Sequence, residues 1–482
     1  MNRTTASAPE RMADNNGSAP HGSGTSLSQG LKQRHLSMIA LGGVIGAGLF
    51  VGSGAGIAAA GPSIVLAYTI SGLLVMLVMQ MLGEMSAANP ASGSFSVYAE
   101  RSLGPWAGFS AGWIFWTLLS FAVGMEGLGA AGIMTSWFPG TKSWMWVLIF
   151  MVIFMTTNLI SVRNFGEFEF WFAALKVAAI GVFLVLGILA ICGLLPGTDA
   201  PGTANLTGHG GFMPNGMHGL VLGLTASAFA YGGLETVTIA AAESEDPIRG
   251  VAKAVRTAMW RIAVFYIGSM FVIVMLLPWN TDAVAQKGPY VSVLNHLDIP
   301  AAGQIMNVVV LIALLSAMNA NIYGSSRMAY SLVARGQGPR FLGMVSGGVP
   351  RLAVVASCFF GFFTVLLNYW SPDKVFVWVT NTLGAVVLIV WGFIAVSQLV
   401  MRRRLEREAP EKLVVRMWLF PYLTWVAILG ILTLLVLMAR EDGTRDQVIY
   451  SCGLTVVLVA AGVLRQRLAG RRTALLPAEQ ED

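Results

Sequence analysis

Two glycine-rich stretches, GGVIGAGLFVGSG (residues 42–54) and FAYGGLE (residues 229–235), interrupt long apolar segments of this chain. In lipid, the backbone groups freed by a helix break must find partners in protein, in water or in a ligand. Such a stretch therefore indicates either a cavity or close packing of helices through small residues. For the first stretch alone, the two interpretations are equally good.

The composition places these stretches in a membrane. The chain has 482 residues, of which 55% are hydrophobic and 11% are charged, whereas about a quarter of an average soluble protein is charged. A hydrocarbon core of about 30 Å requires about 20 apolar residues for each helical crossing. Runs of this length predict an all-α membrane protein with twelve spans, numbered 1 to 12, at residues 37–60, 62–85, 104–134, 143–162, 168–194, 218–242, 260–279, 301–333, 352–370, 373–398, 415–438 and 446–465.

The two glycine-rich stretches fall in spans 1 and 6. Because these spans are five helices apart, equivalent positions in them run in opposite directions across the membrane. Paired breaks of this kind are typical of transporters built from two inverted repeats, with the substrate site at the midplane. The pairing thus favours a cavity over simple close packing.

The predicted domain organisation follows the spans. Residues 1–35 are rich in Ser, Gly, Asn and Pro and are predicted to be a disordered cytoplasmic tail. Residues 36–398 form a ten-helix transport core whose inverted repeats cover about 36–195 and 218–398. Spans 11 and 12 occupy residues 415–465, and residues 466–482 form a second cytoplasmic tail.

The basic residues are distributed asymmetrically across these spans. Most of the 30 Lys and Arg residues lie in the two tails or in loops on the same side, with clusters in 249–261, 402–416 and 465–472. On the other side lie only Lys142, Lys287, Lys374, Arg440 and Arg445, while Lys176 and Arg327 fall within spans. The positive-inside rule then predicts that both termini are cytoplasmic. The net charge of +6 is thereby explained by topology, without a nucleic-acid partner.

Several functional classes lack their motifs. The sequence has no GxxxxGK[ST] phosphate loop, no HExxH pair and no GxSxG elbow, so we expect no enzyme activity. The histidines lie in tails or loops, and Cys192, Cys358 and Cys452 lie at or near different spans. We therefore expect no cofactor, no metal site and ordinary free thiols.

The breaks themselves suggest a zwitterionic ligand. Unwinding at Gly46, Ala47 and Gly48 would expose the N-terminus of the outer half of helix 1, whose N–H groups and dipole favour a carboxylate. Carbonyl groups freed in span 6 have the opposite polarity and suit an ammonium group. The predicted substrate-binding residues are Ile45, Gly46, Ala47, Gly48, Glu126, Phe229, Ala230, Tyr231, Gly232 and Gly233.

Four ionisable residues within spans are candidates for function, because a charge in lipid costs a few kcal/mol or more. Lys176 either titrates for proton coupling or holds carbonyls of the span 1 break, and both roles are compatible. Glu126 either meets a cationic group of the substrate or bonds to a neighbouring helix. Glu235 follows the span 6 break and either accepts the freed N–H groups or relays protons, whereas Glu84 is structural or part of a gate.

Several long motifs resemble those of bacterial amino-acid permeases of the amino acid–polyamine–organocation (APC) superfamily. They are LKQRHLSMIALGGVIGAGLFVGSG, GEMSAANPASGSFSVYAERSLGPWAGFSAGW, GEFEFWFAALKV and FAYGGLETVTIAAAESEDP. Within the superfamily the chain most resembles 4-aminobutyrate (GABA) permeases, through GGFMPNG, VTIAAAES, WRIAVFYIGSMFVIVMLLPWN and RMWLFPYLTW. It departs from them at AYGG (residues 230–233), where they tend to have a phenylalanine–methionine–glycine version.

The resemblance implies a leucine-transporter-type fold, with five plus five inverted helices and two more appended, and with helices 1 and 6 discontinuous. It implies that Gly46, Ala47 and Gly48 meet the substrate's carboxylate, that residues 229–233 meet its amino group, and that Lys176 stands where sodium-driven relatives hold a cation. Glu126 matches an acidic position of the GABA permease type. Protons are therefore implied as the coupling ion.

Together these features predict an amino-acid importer of the cytoplasmic (inner) membrane that works by proton symport, with 4-aminobutyrate or a related amino acid as leading substrate. An amino-acid exchanger or a permease for α-amino acids is the alternative. A sensor that binds an amino acid without moving it is a remote alternative, because it would normally carry a sizeable signalling domain. The predicted partners are thus an amino acid, protons and the lipid bilayer, and the oligomeric state stays open.

Overall fold

The computed structural model describes residues 38, 45–91, 93–160, 162–197, 199–242, 246–281, 288–371, 375 and 385–474. The predicted N-terminal tail, the start of span 1 with Gly42 and Gly43, residues 376–384 of span 10 and residues 475–482 lie outside the described residues. Within the described part, the regular elements are helices and no β-strand is formed.

The first half of the chain begins with two short helices. Helices α1 (Ala47–Phe50) and α2 (Gly52–Ala60) are separated only by Val51, whose backbone is itself α-helical, so they form one helical run. A 3-10 turn at Gly61–Ser63 then leads into the next helix. The elements that follow are α3 (Ile64–Ala88), α4 (Ser94–Leu103), α5 (Pro105–Trp137), α6 (Ser143–Ile160) and α7 (Val162–Ile191).

The second half has the same helical character. After α8 (Ala204–Thr207) come α9 (Gly216–Tyr231), α10 (Thr236–Ala242), α11 (Pro247–Arg261), α12 (Gly268–Leu276) and α13 (Pro289–His296). A π-helical segment, Ile262–Ile267, joins α11 to α12. The remaining helices are α14 (Ala302–Ala334), α15 (Arg351–Trp370), α16 (Val386–Glu408), α17 (Tyr422–Arg440) and α18 (Asp442–Ala474).

Within the described residues, eleven helical segments are long and apolar enough to cross a membrane. The first, Ala47–Ala88, has 42 residues, which is about 63 Å of helix at 1.5 Å per residue and about twice the hydrocarbon thickness. The 3-10 turn lies within it, and Gly61 has a φ of +62° that ends α2. Span 2 and part of span 1 lie in this segment, and the other ten segments overlap spans 3 to 12. The prediction of an all-α multi-pass membrane protein is confirmed.

The site is positioned by two sets of packed helices. Long helices α5 and α14 lie against each other, with α4 and α15 packed on α5. On the other side, α9 packs on α2 and α3. Helices α6, α17 and α18 are much less buried within the protein than α5 or α9, so their apolar side chains are left for lipid. The buried centre therefore lies between the α5–α14 pair and the α1, α2 and α9 group.

Candidate functional site

A small cavity lies where the two sets of helices meet. It encloses about 50 Å³. Its walls come from the start of α1, from the middle of α5, from the end of α9 with the residues after it, from α14 and from α16. The lining residues are Gly48, Leu118, Leu119, Ala122, Glu126, Phe229, Ala230, Gly232, Gly233, Thr236, Ala317, Ala320, Asn321 and Val387.

One wall of the cavity is formed by the start of α1. Gly46 precedes the helix in a non-helical conformation, and the N–H of Ala47 donates a hydrogen bond of 2.9 Å to Oε2 of Glu126. A Cβ atom on Gly46 would lie 2.5 Å from Oε1 of Glu126 and 2.7 Å from Cβ of Ala317. Glycine is thus needed here because the carboxylate approaches the backbone so closely.

The opposite wall is formed by the end of α9. The helix stops at Tyr231, and α10 begins only at Thr236. Gly232 has extended backbone and Gly233 has a φ of +92°, a conformation that favours glycine. The sequence GG at this point therefore ends the helix and lets the chain turn beside the cavity.

The residues between α9 and α10 are held by a carboxylate. Glu235 accepts a hydrogen bond of 3.0 Å from the N–H of Gly233 on one oxygen. Its other oxygen accepts a hydrogen bond from Nε1 of Trp391 on α16. Because Glu235 is 1% exposed, both bonds lie inside the protein and fix the interrupted segment to α16.

The two glycine-rich stretches touch each other. A Cβ atom on Gly48 would lie 2.6 Å from the Cα of Ala230. The glycines thus allow close packing of helices beside the cavity. Close packing and a cavity, the two interpretations of the glycine-rich stretches, are therefore compatible in this structure.

Lys176 lies behind the start of α1. Its Nζ donates a hydrogen bond of 3.3 Å to the carbonyl oxygen of Ile45 and lies 3.7 Å from Oε1 of Glu169. The other oxygen of Glu169 accepts a hydrogen bond of 2.7 Å from Ser316 on α14. Lys176 therefore contacts a carbonyl of the first stretch and belongs to a fully buried ion pair.

The predicted substrate-binding residues divide into two groups. Gly48, Glu126, Phe229, Ala230, Gly232 and Gly233 line the cavity, and Asn321 adds polar lining. Gly46 and Ala47 adjoin it through Glu126, while Ile45 faces Lys176. Tyr231 points elsewhere: its hydroxyl donates a bond of 2.9 Å to the carbonyl of Tyr68 on α3, and its ring contacts that of Tyr266.

Two residues that the sequence analysis did not single out hold the charged groups of the site. Glu169 is seven residues before Lys176 in EFEFWFAALK, a spacing that places both on one face of a helix, so a search for acidic partners of Lys176 would have found it. Trp391 has no such signal, because its contact with Glu235 joins positions 156 residues apart.

Glu84 lies away from the cavity, near the end of α3. Its carboxylate accepts hydrogen bonds from Nε2 of Gln398 at 2.7 Å, from the N–H of Met417 at 2.6 Å and from the guanidinium of Arg402. These donors belong to α16 and to the segment before α17. Glu84 thus ties three parts of the chain together at one end of the helical bundle.

Comparisons with known proteins identify the family of the chain. Residues 35–472 match the family described as amino acid permease. The chain is 46% identical over 457 residues to a gamma-aminobutyric acid permease of Bacillus subtilis, covering 94% of this chain and 97% of the relative. It is 47% identical over 451 residues to a probable GABA permease of Pseudomonas aeruginosa, covering 93% and 94%. It is also 46% identical over 454 residues to an aromatic amino acid transport protein of Corynebacterium glutamicum, covering 93% and 97%.

These matches cover nearly all of the described chain, including both glycine-rich stretches and the helices that line the cavity. The permeases of this family are transporters, and the helical segments provide the membrane-spanning body that such a protein needs. The chain therefore belongs to the amino acid permease family of the APC superfamily and is a multi-pass membrane transporter of amino acids.

Proposed function

We propose that the protein imports an amino acid across the cytoplasmic membrane by proton symport, with 4-aminobutyrate or a related amino acid as leading substrate. The observation that carries this proposal is the cavity between the start of α1 and the end of α9, which also contains the carboxylate of Glu126. Helix starts favour anions and helix ends favour cations, so the two ends of a zwitterion have complementary partners there.

The substrate's carboxylate is proposed to bind at the N–H groups that begin α1, in the place now taken by the carboxylate of Glu126. Displaced from the N–H of Ala47, Glu126 then turns to the substrate's ammonium group. Residues 229–233 supply carbonyl oxygens on the same side. The substrate thus replaces a contact that the protein makes with itself.

Proton coupling is assigned to Lys176, with Glu235 as a second candidate. The assignment of Lys176 is supported by its position. Its side chain is 0% exposed and donates a hydrogen bond to Ile45, next to the residues proposed to bind the substrate's carboxylate. A lysine buried in this way can exchange its proton when its partners move. Glu235 is close to the α9 side of the cavity, because it accepts a hydrogen bond from Gly233, which lines the cavity.

The architecture that goes with this function is twelve membrane helices in a leucine-transporter-type fold, with inverted repeats at 36–195 and 218–398 and both termini in the cytoplasm. The non-helical backbone of Gly46 directly before α1, and the gap between α9 and α10 at residues 232–235, support discontinuous helices 1 and 6. A larger cavity of about 680 Å³, between α13, the start of α14 and the last turns of α5, supports an entry path from the outside.

Uptake of labelled 4-aminobutyrate into liposomes without internal substrate tests the proposal. An imposed inward proton gradient should drive accumulation, and Lys176→Met should abolish the dependence on the gradient. Accumulation only when the liposomes are preloaded with amino acid would identify an exchanger instead.

A competition panel tests the substrate. Unlabelled 4-aminobutyrate and β-alanine should block uptake better than L-alanine or L-phenylalanine. Transport of aromatic amino acids is the second candidate, favoured by the similarity to the C. glutamicum relative. Competition by α-amino acids alone would refute both 4-aminobutyrate as substrate and the proposed contact between Glu126 and the ammonium group.

A further inference from the structure

Glu169 is a second buried carboxylate beside Lys176. Both side chains are 0% exposed, and Nζ of Lys176 lies 3.7 Å from Oε1 of Glu169. A charged pair within a membrane span is costly and marks a functional site by default. The pair of Lys176 and Glu169 is therefore a candidate for a functional role in addition to helix packing.

Two of the partners of Lys176 lie on different parts of the chain. One is the carbonyl oxygen of Ile45 at 3.3 Å, in the stretch that leads into α1. The other is Glu169, at a distance longer than the 2.7–3.2 Å usual for an N–H···O bond. If the start of α1 moves away from Lys176, the carbonyl oxygen of Ile45 moves with it. Glu169 is then the nearer of these two acceptors to the ammonium group of Lys176. The lysine thus has a contact that depends on α1 and one that does not.

The order of the three ionisable groups follows from the helices that carry them. In the proposed orientation, α5 and α7 both run outward from the cytoplasm. At 1.5 Å per residue, Glu169 is about 10 Å from the start of α7, Lys176 about 21 Å from that start, and Glu126 about 32 Å from the start of α5. Along α7, Glu169 is therefore about 10 Å closer to the inner side than Lys176, while Glu126 lies in the outer half of α5.

We propose that Glu169 is the inner proton acceptor of the transport cycle, an inference that rests on the proposed proton symport. When α1 moves, the ammonium of Lys176 gives one proton to the carboxylate of Glu169, leaving a neutral amine and a neutral carboxylic acid. The acid then releases this proton to cytoplasmic water, and the carboxylate is restored. Ser316, which donates to the other oxygen at 2.7 Å, holds the carboxylate in place.

The surroundings of the pair are consistent with this transfer. From α14, the group that contacts Glu169 is the uncharged hydroxyl of Ser316. At longer range, Glu126 from α5 and Arg261 from α11 act electrostatically on Lys176. Glu169 is thus closer to Lys176 than Glu126 is. A proton can pass directly from Lys176 to Glu169 without an intermediate side chain.

The test uses the full-length protein in liposomes that contain a pH-sensitive dye, with 4-aminobutyrate as the probe or the amino acid that competes best in the panel. Two quantities are measured: exchange of labelled for unlabelled substrate without a proton gradient, and acidification of the lumen when substrate is added. Glu169→Gln should lower acidification at least tenfold and leave exchange within about threefold of wild type. Glu167→Gln, two residues earlier on the same helix, is the matched control and should change neither.

The outcomes separate the two levels of inference. If wild type itself shows no acidification, proton symport is wrong. If wild type acidifies and Glu169→Gln acidifies equally, symport stands and the role of Glu169 is refuted. Loss of both activities in a folded Glu169→Gln protein would equally refute it, since Glu169 would then be structural. If Glu169→Gln fails to fold, Ser316→Ala is the deciding variant. It keeps the carboxylate of Glu169 but removes its hydrogen-bond donor, so the pH dependence of acidification should shift. An unchanged pH profile would overturn the proposal.

Discussion

The carboxylate of Glu126 accepts a hydrogen bond from the backbone N–H of Ala47, 2.9 Å away, at the first residue of α1. The protein thus caps this helix with its own side chain. A substrate carboxylate that binds to the same N–H must displace Glu126. Binding of substrate and the state of Glu126 are therefore linked.

Glu126→Gln should weaken substrate binding about tenfold, because the amide oxygen of glutamine still accepts a hydrogen bond from the substrate's ammonium but lacks the negative charge that makes such a bond about twice as strong. Binding should also depend less on pH than in wild type, since the glutamine cannot ionise and compete with the substrate's carboxylate. Equilibrium binding of labelled 4-aminobutyrate to the purified protein at pH 6 and pH 9 measures both effects. Unchanged or tighter binding would show that Glu126 does not hold the ammonium group.

Gly46→Ala should reduce transport at least tenfold while the protein still reaches the membrane. Its Cβ would lie 2.5 Å from Oε1 of Glu126, so either the carboxylate or the start of α1 must move. Gly52→Ala is the matched control, because its Cβ would meet nothing closer than the carbonyl oxygen of Ala47 at 3.6 Å. Uptake in membrane vesicles, normalised to protein amount, compares them, and equal activity of the two variants would contradict the geometry described here.

Trp391→Phe should destabilise the protein by about 2 kcal/mol, because a buried carboxylate oxygen of Glu235 loses its donor. Exchange of substrate should slow as well, since the segment at 232–235 is no longer fixed to α16. In the control Trp116→Phe, the lost bond runs to the neutral hydroxyl of Ser357 at 2.9 Å, and a smaller cost of about 1 kcal/mol is expected. Thermal unfolding in detergent compares the stability of the two variants. A larger loss of stability in Trp116→Phe than in Trp391→Phe would argue against an ionised Glu235.

Arg402→Met should destabilise the protein strongly, by about 3–5 kcal/mol, because it leaves the carboxylate of Glu84 buried without its charged partner. Arg404→Met is the control: its ion pair with Glu408 is exposed, with side chains 65% and 60% accessible. Such a pair contributes only about 0.3–0.5 kcal/mol. If both variants have the same melting temperature, Glu84 is not the structural centre of this end of the bundle.

Long apolar runs were sufficient to predict an all-α multi-pass membrane protein, and the glycines at 46, 232 and 233 adjoin helix ends in the structure. Apolar runs of about 20 residues are long, local signals, and the glycines at 46, 232 and 233 act through their own backbone conformations or close contacts. Both kinds of information are present within a few neighbouring residues. The spacing of Glu169 from Lys176 is a local feature too, although the sequence analysis did not single out Glu169.

The partners of the charged groups were harder to predict, because they come from distant parts of the chain. Glu126 and Ala47 are 79 residues apart, and Trp391 and Glu235 are 156 apart. Nothing in the residues around Tyr231 indicates that its hydroxyl bonds to the carbonyl of Tyr68 rather than lining the cavity. Such choices are decided by helix packing, which one sequence does not display.

The hydrogen bonds of Glu84 have a consequence for the order in which the protein is assembled. Its donors Gln398, Arg402 and Met417 are 314, 318 and 333 residues further along the chain. Since a chain is made from its N-terminus at about 5–20 residues per second, the ribosome adds these partners at least about 15 seconds after Glu84. During that interval the end of α3 carries a carboxylate that none of its final donors yet contacts. Docking of α16 and the segment before α17 is thus the step that completes this end of the protein, long after α1 and α5, two of the helices that line the cavity, have been made.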